Sequence, residues 1–380
     1  MKLTVVSKLK SLPAEQWNSL ALRDNPFVSH AFLSALEDHG CVGGNTGWQP
    51  QHLTLTDHGQ LIGALPMYLK DHSWGEFVFD WAWADAYRRH GLDYYPKLVA
   101  AVPFSPVTGP RLLVTQNPDY NAELVRRTLI DGAIAHARHL NASSLHCLFT
   151  DPQDTSALDQ TPLGRRLGCQ FHWTNAGYRD FDDFLSTFSS AKRKKIKRER
   201  RRVAESGVEI RHYAGGELNA GQWHLLQGLY AKTCDEKGNM AWLPPEFFQT
   251  MGRELPDNTL VFFAYHQGKP VAGAFFMRSR ETLYGRYWGC LEEFHSLHFE
   301  TCYYQGLDYC IAEGIKVFEP GAQGEHKISR GFLPTATWSG HWLEHPRFND
   351  AVEQFLAEEQ RHMRRYMADL MRHSPYKQSD

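Results

Sequence analysis

The densest group of residues that could carry chemistry lies between Phe318 and Gly331. This stretch reads FEPGAQGEHKISRG, and its polar members are Glu319, Gln323, Glu325, His326, Lys327 and Arg330. Glycine allows the backbone to turn with positive φ and to approach a ligand closely. Carboxylates and imidazoles transfer protons when they converge in a cleft. We therefore predict a catalytic or binding loop, with a solvated loop of chance charges as the alternative.

Two further groups of candidates precede this loop. Arg286-Tyr287-Trp288 ends an alternating, strand-like segment. Arginine is costly in a strand unless it has a partner, so Arg286 is predicted either to bind a ligand or to pair with Glu319 or Glu325. A helix is predicted over 299–313, with Gly314 at its C-terminal end. His298 stands at the helix N-terminus, where an anionic group would be favoured.

Metal and nucleotide motifs are not found. Cys290, His295, His298 and Cys302 lie within thirteen residues, but their spacing fits no standard zinc pattern. The chain contains no G-x-x-x-x-G-K-[ST], G-x-S-x-G or H-E-x-x-H sequence. These absences argue against NTPase, α/β-hydrolase and zinc-protease activities. We predict no metal and no bound cofactor.

A strongly basic segment stands in the middle of the chain. Residues 192–202 carry nine cations and one anion, a charge of +8, whereas the whole chain has a net charge of −2. The cations are Lys192, Arg193, Lys194, Lys195, Lys197, Arg198, Arg200, Arg201 and Arg202. We predict a helical arm over 182–205 that binds a polyanion, RNA before DNA, mainly through phosphates. Anionic lipid and a merely solvated helix are the alternatives.

The elements that must position these residues follow a repeat. Residues 53–82 and 260–288 both show alternating apolar patterns joined by tight turns at Gly59 and Gly268. A helix and a returning strand are predicted after each copy. The further predicted elements are an edge strand at the N-terminus, a helix capped by Ser29, a helix near 94–102, strands at 112–114, 144–149 and 315–318, and helices over 122–139 and 350–373. The pattern predicts duplicated α/β domains with mixed sheets.

Length and composition agree with two domains. The 380 residues are too many for one ordinary domain. We predict a first domain over 1–165, a second over 166–345 that includes the arm, and a C-terminal helix over 346–380. Seven scattered cysteines predict reduced thiols and a cytoplasmic protein. No apolar run is long enough for a transmembrane helix.

Two segments resemble a known family. WGCLEEFHSLHFETCYYQG at 288–306 and FEPGAQGEHKISRGFLP at 318–334 resemble bacterial FemAB-like proteins of the GNAT acyltransferase superfamily, which are described as peptidoglycan-biosynthesis-like or N-acyltransferase proteins. The resemblance covers nearly the whole chain. It implies tandem GNAT-like domains with an inserted basic helical arm. In FemAB relatives, such an arm helps to engage aminoacyl-tRNA, and the amino acid passes to an amine of a peptidoglycan precursor.

The resemblance implies that the protein is an acyl- or aminoacyltransferase that forms an amide on an amine-bearing small molecule or peptide precursor. It also suggests a role for each candidate residue. Glu319 or Glu325 would accept the amine proton, and His326, Lys327 or Arg286 would stabilise the oxyanion or hold acidic groups. Tyr303 and Tyr304 would line the acyl pocket, and the arm would hold the phosphates of tRNA. The other predicted substrate-binding residues are Tyr287, Trp288, His298, Gln323 and Arg330. An acyl-CoA donor and a non-catalytic binding protein for RNA or an envelope precursor remain alternatives.

Overall fold

Two α/β units account for the chain in the computed structural model, which describes residues 1–20, 24–322 and 324–377. The first unit comprises Met1–Cys169 and Ala336–Arg365, and the second comprises Gln170–Thr335 and Tyr366–Asp380. The first boundary, after Cys169, is close to the predicted one after residue 165, and the segment Ala336–Arg365, divided at residue 345 in the prediction, groups with the first unit. The mixed α/β fold class is as predicted. No helix in the described part of the chain is long and apolar enough to cross a membrane.

The first unit holds two sheets. Its strands are β1 (Lys2–Val6), β2 (Trp48–Pro50), β3 (His52–Asp57), β4 (Gln60–Leu65), β5 (Tyr68–Lys70), β6 (Lys97–Ala100), β7 (Leu113–Val114) and β8 (Ser144–Thr150). Its helices are α1 (Ala14–Asn18), α2 (His30–Asp38), α3 (Trp81–Arg89), α4 (Ala122–His139) and α5 (Pro152–Leu158). One sheet has the order β1-β3-β4-β7. In the other, β2, β5, β6 and β8 are neighbours in that order, and β6 runs parallel to β8.

The second unit contains one six-stranded arrangement. Its strands are β9 (Gly164–Thr174), which begins in the first unit, β10 (Val208–Ala214), β11 (Thr259–His266), β12 (Lys269–Arg278), β13 (Thr282–Cys290) and β14 (Val317–Glu319). Its helices are α6 (Phe181–Ser186), α7 (Ser190–Glu205), α8 (Ala220–Glu236), α9 (Pro245–Glu254), α10 (Leu297–Phe299) and α11 (Gln305–Ala312). The strand order is β10-β11-β12-β13-β14-β9. β15 (Leu333–Leu343) and α12 (Pro346–Met371) are the last strand and the last helix of the described residues.

Local signals explain many of these elements. The side chain of Ser29 accepts a hydrogen bond from the Phe32 amide (3.2 Å), as expected of the predicted helix cap. The side chain of Asn121 likewise accepts from the Glu123 and Leu124 amides at the start of α4. The apolar face of α4 is buried against β3 and β4 in the main core of the first unit. The predicted edge strand is β1, which pairs only with β3.

Two sequence predictions about secondary structure are wrong. Residues 94–102 do not form a helix, because Lys97–Ala100 is the strand β6. Its run of apolar residues is buried on both faces, and periodicity alone cannot distinguish such a strand from a buried helix. The arm over 182–205 is not one helix, since α6 ends at Ser186 and α7 begins at Ser190. Phe188, between them, is fully buried against Phe184 and Tyr376, and this packing fixes the break.

Candidate active site

The predicted loop follows β14 at the point where β14 stops pairing with β13. These parallel strands are in register only from Thr282 opposite Val317 to Tyr284 opposite Glu319. Immediately afterwards β13 carries a β-bulge, in which Gly285 and Arg286 face the single residue Phe276 of β12. β13 then continues beside β12. Bulges re-aim side chains and end pairing next to active sites, and here the bulge coincides with the start of the polar loop.

Glycine and lysine together shape this loop. Gly324 has a φ of 118°, and a Cβ there would lie 2.4 Å from Cε1 of His326, so the position requires glycine. Lys327 is buried, and its Nζ donates a hydrogen bond to the Gly321 carbonyl (2.7 Å), which ties the loop back on itself. The loop ends in a 3-10 helix over Glu325–Arg330. Gln323, a predicted ligand-binding residue, lies outside the described residues.

Five predicted or neighbouring aromatic side chains meet at the loop, and we call them the imidazole cluster: Trp288, His298, Phe299, Tyr303 and His326. The Tyr303 hydroxyl and His326 Nε2 are 3.0 Å apart. The His298 ring lies 5.4 Å from the ring of Trp288 and 5.4 Å from that of Tyr303. Tyr303 is buried, whereas His326 is exposed. The structure thus connects a buried hydroxyl to an imidazole that solvent can reach.

A wide helical turn supplies the tyrosines. Residues Glu300–Tyr304 form a π-helix between α10 and α11, within the region predicted as one helix. Single π-turns are rare and are found often at functional sites. The turn places the Tyr303 hydroxyl beside His326 and the Tyr304 hydroxyl beside Glu199 of α7. Both tyrosine side chains are buried in the same core.

Burial and positive charge keep the histidines neutral. Burial, followed by His326 and Lys237, lowers the pKa of His298 to about 4. His326 keeps part of its surface exposed, and the burial of the rest, followed by Arg330, Lys327 and Lys195, also lowers its pKa. A neutral imidazole can accept a proton. The same burial lowers the pKa of Lys327 to about 8, so this lysine is still mostly charged at neutral pH.

A buried ion network joins the loop to the basic helix α7. The Arg330 guanidinium donates to both oxygens of Glu199 (3.1 and 3.0 Å), and the Tyr304 hydroxyl donates to the same carboxylate. Arg330 also donates to the His326 carbonyl (2.8 Å), and its guanidinium lies 3.4 Å from the centre of the Phe299 ring. Glu199 is therefore the residue that docks α7 onto the candidate site.

The nine cations of the basic segment differ in their surroundings. Four form ion pairs: Lys195 with Glu199, Lys197 with Asp182, Arg200 with Glu300 and Asp308, and Arg201 with Glu205. Arg202 Nη1 lies 3.2 Å from His295 Nε2. Within the described residues, Lys192, Arg193, Lys194 and Arg198 have no carboxylate partner. The carboxylate partners other than Glu199 lie outside residues 192–202, on α6, on the π-turn, on α11 and at the end of α7.

Other predicted site residues lie apart from the imidazole cluster. Tyr287 packs on Tyr230 and Phe248, on the face of β13 opposite to Trp288. Arg286 lies in the bulge with its guanidinium 5.2 Å from the Tyr287 ring. Glu325 is exposed and accepts a hydrogen bond from the Tyr366 hydroxyl (2.7 Å). Glu319 is buried at the last position of β14.

Sequence reasoning missed some contributors. His172 of β9 is buried, and burial followed by the charge of Lys327 lowers its pKa to about 3. Lys237, just after α8, is close enough to disfavour the charge of His298. No linear sequence motif identifies either residue, because β9 and the end of α8 are distant from the loop in sequence and are brought near it by the tertiary structure. In the described part of the chain no group of three or more potential metal ligands occurs.

Comparison with known proteins gives the same family as the sequence resemblance. The model of the FemAB-like family, described as peptidoglycan biosynthesis or recognition, matches residues 8–378. The crystal structure of FemX aligns with a TM-score of 0.55 at 10% identity, covering 93% of this chain and all of FemX. L-PGS from Bacillus licheniformis aligns with a TM-score of 0.51 at 10% identity, covering 88% of this chain and 98% of that one.

A tandem GNAT protein from the clavulanic acid biosynthesis pathway is a more distant neighbour, with a TM-score of 0.46 at 11% identity over 91% of this chain and 99% of that one. No curated protein sequence matches this chain. The structural similarities are similarities of fold, whereas the family match spans nearly the entire sequence. This protein belongs to the FemAB-like family of peptidoglycan biosynthesis or recognition proteins.

Proposed function

We propose that the protein is an aminoacyltransferase that moves an amino acid from aminoacyl-tRNA to an amine of a peptidoglycan precursor. Family membership supports a transferase of peptidoglycan biosynthesis. The observation that carries the finer proposal is the buried Glu199–Arg330–Tyr304 network, because it fixes a cationic helix directly beside a neutral imidazole. A donor that combines a polyanion with a reactive ester fits this combination.

The reaction needs a base and a stabilised oxyanion. The acceptor nitrogen attacks the ester carbonyl, a C–N bond forms, and the C–O bond to the ribose breaks as the leaving oxygen takes up a proton. His326 receives the amine proton on Nδ1, because its lowered pKa keeps the ring neutral and its Nε2 is engaged with the Tyr303 hydroxyl. Lys327 places a positive charge near the developing oxyanion. Glu319, buried at the end of β14, is the second candidate for the base.

The proposed binding surface for the tRNA donor is the helix α7. Lys192, Arg193, Lys194 and Arg198, which have neither a carboxylate nor a histidine partner among the described residues, are available to phosphates. They lie on the same helix as Lys195, whose charge contributes to lowering the pKa of His326. An acyl-CoA donor would need a loop of backbone amides for its pyrophosphate, and the sequence lacks the full Gln/Arg-x-x-Gly-x-Gly/Ala pattern. We therefore place aminoacyl-tRNA before acyl-CoA.

The test is single-turnover aminoacyl transfer. The protein is incubated with radiolabelled aminoacyl-tRNA and an amine-bearing peptidoglycan precursor, and the labelled amide is quantified. Parallel reactions contain acyl-CoAs and report free CoA. We expect amide formation from aminoacyl-tRNA, and a reduction of about 10²–10⁴-fold in H326N or E319Q, whichever removes the base. Full activity in both variants would overturn these roles, and CoA release without tRNA turnover would overturn the donor.

A recognition protein without catalysis is the second candidate, because the family description includes recognition. In that case the precursor would bind, the cluster variants would weaken binding, and neither donor would be consumed. The same experiment separates the two functions if precursor binding is measured by calorimetry alongside the transfer assay.

A further inference from the structure

A patch of exposed aromatic side chains lies on the first unit. Trp74, Phe77, Phe79 and Trp81 expose 58, 41, 54 and 41% of their surfaces. The rings of Trp74 and Trp81 are 5.2 Å apart, so the two ends of this segment meet and the phenylalanines lie on the loop between them. We call residues 74–81 the aromatic loop. Aromatic side chains normally dominate cores and interfaces, so four exposed ones on eight residues need a reason.

The aromatic loop is held by its other side chains. Glu76 and Asp80 are only 3% exposed, and both carboxylates bind the buried ammonium of Lys97. Lys70 Nζ donates to the Trp74 carbonyl (2.9 Å), and Arg166 Nη1 donates to the Phe79 carbonyl (2.7 Å). Carboxylates that point inward therefore anchor the segment while its aromatic rings point to solvent. The exposure is a fixed property of the fold.

Charges next to the aromatic loop cancel. The exposed ones are Asp71, before the loop, and Asp85, Arg88 and Arg89, on the helix α3 that begins at Trp81. Arg88 and Arg89 both pair with Asp85. The exposed charges of residues 71–89 therefore sum to zero, in contrast to those of the basic helix α7. A polyanion is therefore a poor match for this surface, and a zwitterionic surface is a good one.

We propose that the aromatic loop docks the protein on a lipid bilayer by inserting its rings into the interfacial region. Tryptophan concentrates at membrane interfaces, and phenylalanine joins it on the apolar face of segments that lie in the interface. With about half of each ring exposed, at about 150–250 Å² per aromatic side chain, the patch offers roughly 400 Å². A stable protein partner needs about 800 Å² per side, so a second copy of this chain fits less well than a lipid surface. This surface is independent of the proposed transfer reaction.

Flotation with lipid vesicles tests the proposal. The full chain is mixed with vesicles of pure phosphatidylcholine at low and high salt, and the floating fraction is measured. We expect the wild-type protein to float at both salt concentrations, because the exposed charges balance. The variant W74S/F77S/F79S/W81S should lose at least about tenfold in partition coefficient. Vesicles with brominated acyl chains should quench the tryptophan fluorescence of the wild-type protein more than that of the variant.

The matched control removes exposed apolar groups elsewhere. Leu124, Met240 and Phe355 are 50, 65 and 43% exposed, and L124S/M240S/F355S should float like the wild type. Circular dichroism and the transfer assay establish that both variants are folded. Absence of wild-type flotation, equal flotation of the loop variant, or flotation abolished by salt would overturn the proposal. A dimer in light scattering that the loop variant converts to a monomer would assign this face to a second copy instead.

Discussion

The two units place polar side chains beside comparable strand pairs and use them differently. In each unit a parallel pair, β6 with β8 and β13 with β14, lies next to antiparallel neighbours. At the ends of β5 and β6, two cations are buried together with two carboxylates: Lys70 and Lys97 with Glu76 and Asp80. After β14, Arg330 pairs with Glu199, but the buried ammonium of Lys327 donates to the Gly321 carbonyl instead of to a carboxylate, and His326 is exposed. Titratable groups mark a candidate active site when their charges are unbalanced and solvent can reach them.

The pKa values of Lys97 and Asp80 follow this difference, whereas burial lowers the pKa of Lys70 in the same cluster to about 7. Burial opposes the charge of Lys97, but Glu76 and Asp80 outweigh it, so the pKa of Lys97 is raised. Burial also opposes the charge of Asp80, but Lys97 and His146 outweigh it and lower the pKa of Asp80 to about 2. Both groups are therefore locked in their charged forms. After β14, His298 and His326 are instead held neutral and Lys327 titrates near pH 8.

The largest effect is expected from breaking the balanced cluster of the first unit. K97M leaves Glu76 and Asp80 buried without their shared cation. Removing one partner of a buried ion pair typically costs about 3–5 kcal/mol of unfolding free energy. Urea denaturation should show this loss, whereas K269M, at the exposed start of β12, should stay within about 0.5 kcal/mol of wild type. A loss below about 1 kcal/mol in K97M would mean that the cluster is not a structural ion network.

The next effect concerns the unbalanced charge of α7. The variant K192Q/R193Q/K194Q/R198Q removes four cations that have no carboxylate partner among the described residues. If they bind donor phosphates, the slope of log affinity against log salt should flatten by about 3, at about 0.7–0.9 per contact. Filter binding of tRNA over a salt series measures this slope.

The control for α7 uses cations that already have partners. K197Q/R201Q removes two charges that pair with Asp182 and Glu205. Its slope should change by less than 1, because these side chains are partly neutralised before tRNA arrives. Equal changes per charge in the two variants would show that binding depends only on net charge, and the distinction between paired and available cations would be lost.

Sequence patterns predicted the repeat, most elements and the polar loop because these depend on local signals. The Ser29 cap, the apolar face of α4 and the glycine after α11 are each encoded within a few residues. The contributions of His172, Lys237 and Glu199 were not predictable, because they arise where distant elements pack together. Glu199 looked like the lone anion of a cationic run. Only tertiary structure shows that it faces inward to Arg330.

The pH dependence of catalysis should report Lys327. Its pKa of about 8 means that the ammonium is present below pH 8 and is lost as the pH rises through that value. If the charge stabilises the oxyanion, kcat/KM should fall about tenfold per pH unit above pH 8. K327R retains the charge throughout this range, so the alkaline limb should disappear in its profile. A rise of wild-type activity through pH 8 that K327R abolishes would instead assign Lys327 the role of a base.

The smallest effect should come from Glu325, the most exposed acid of the loop. Its carboxylate accepts a hydrogen bond from the Tyr366 hydroxyl, and glutamine can still accept that bond through its amide oxygen. Exposed polar contacts of this kind contribute within about 0.5 kcal/mol. We therefore expect E325Q to change kcat/KM by less than about threefold, against 10²–10⁴ for loss of the base. A loss of 10² or more in E325Q would assign the base to Glu325 instead of to His326 or Glu319.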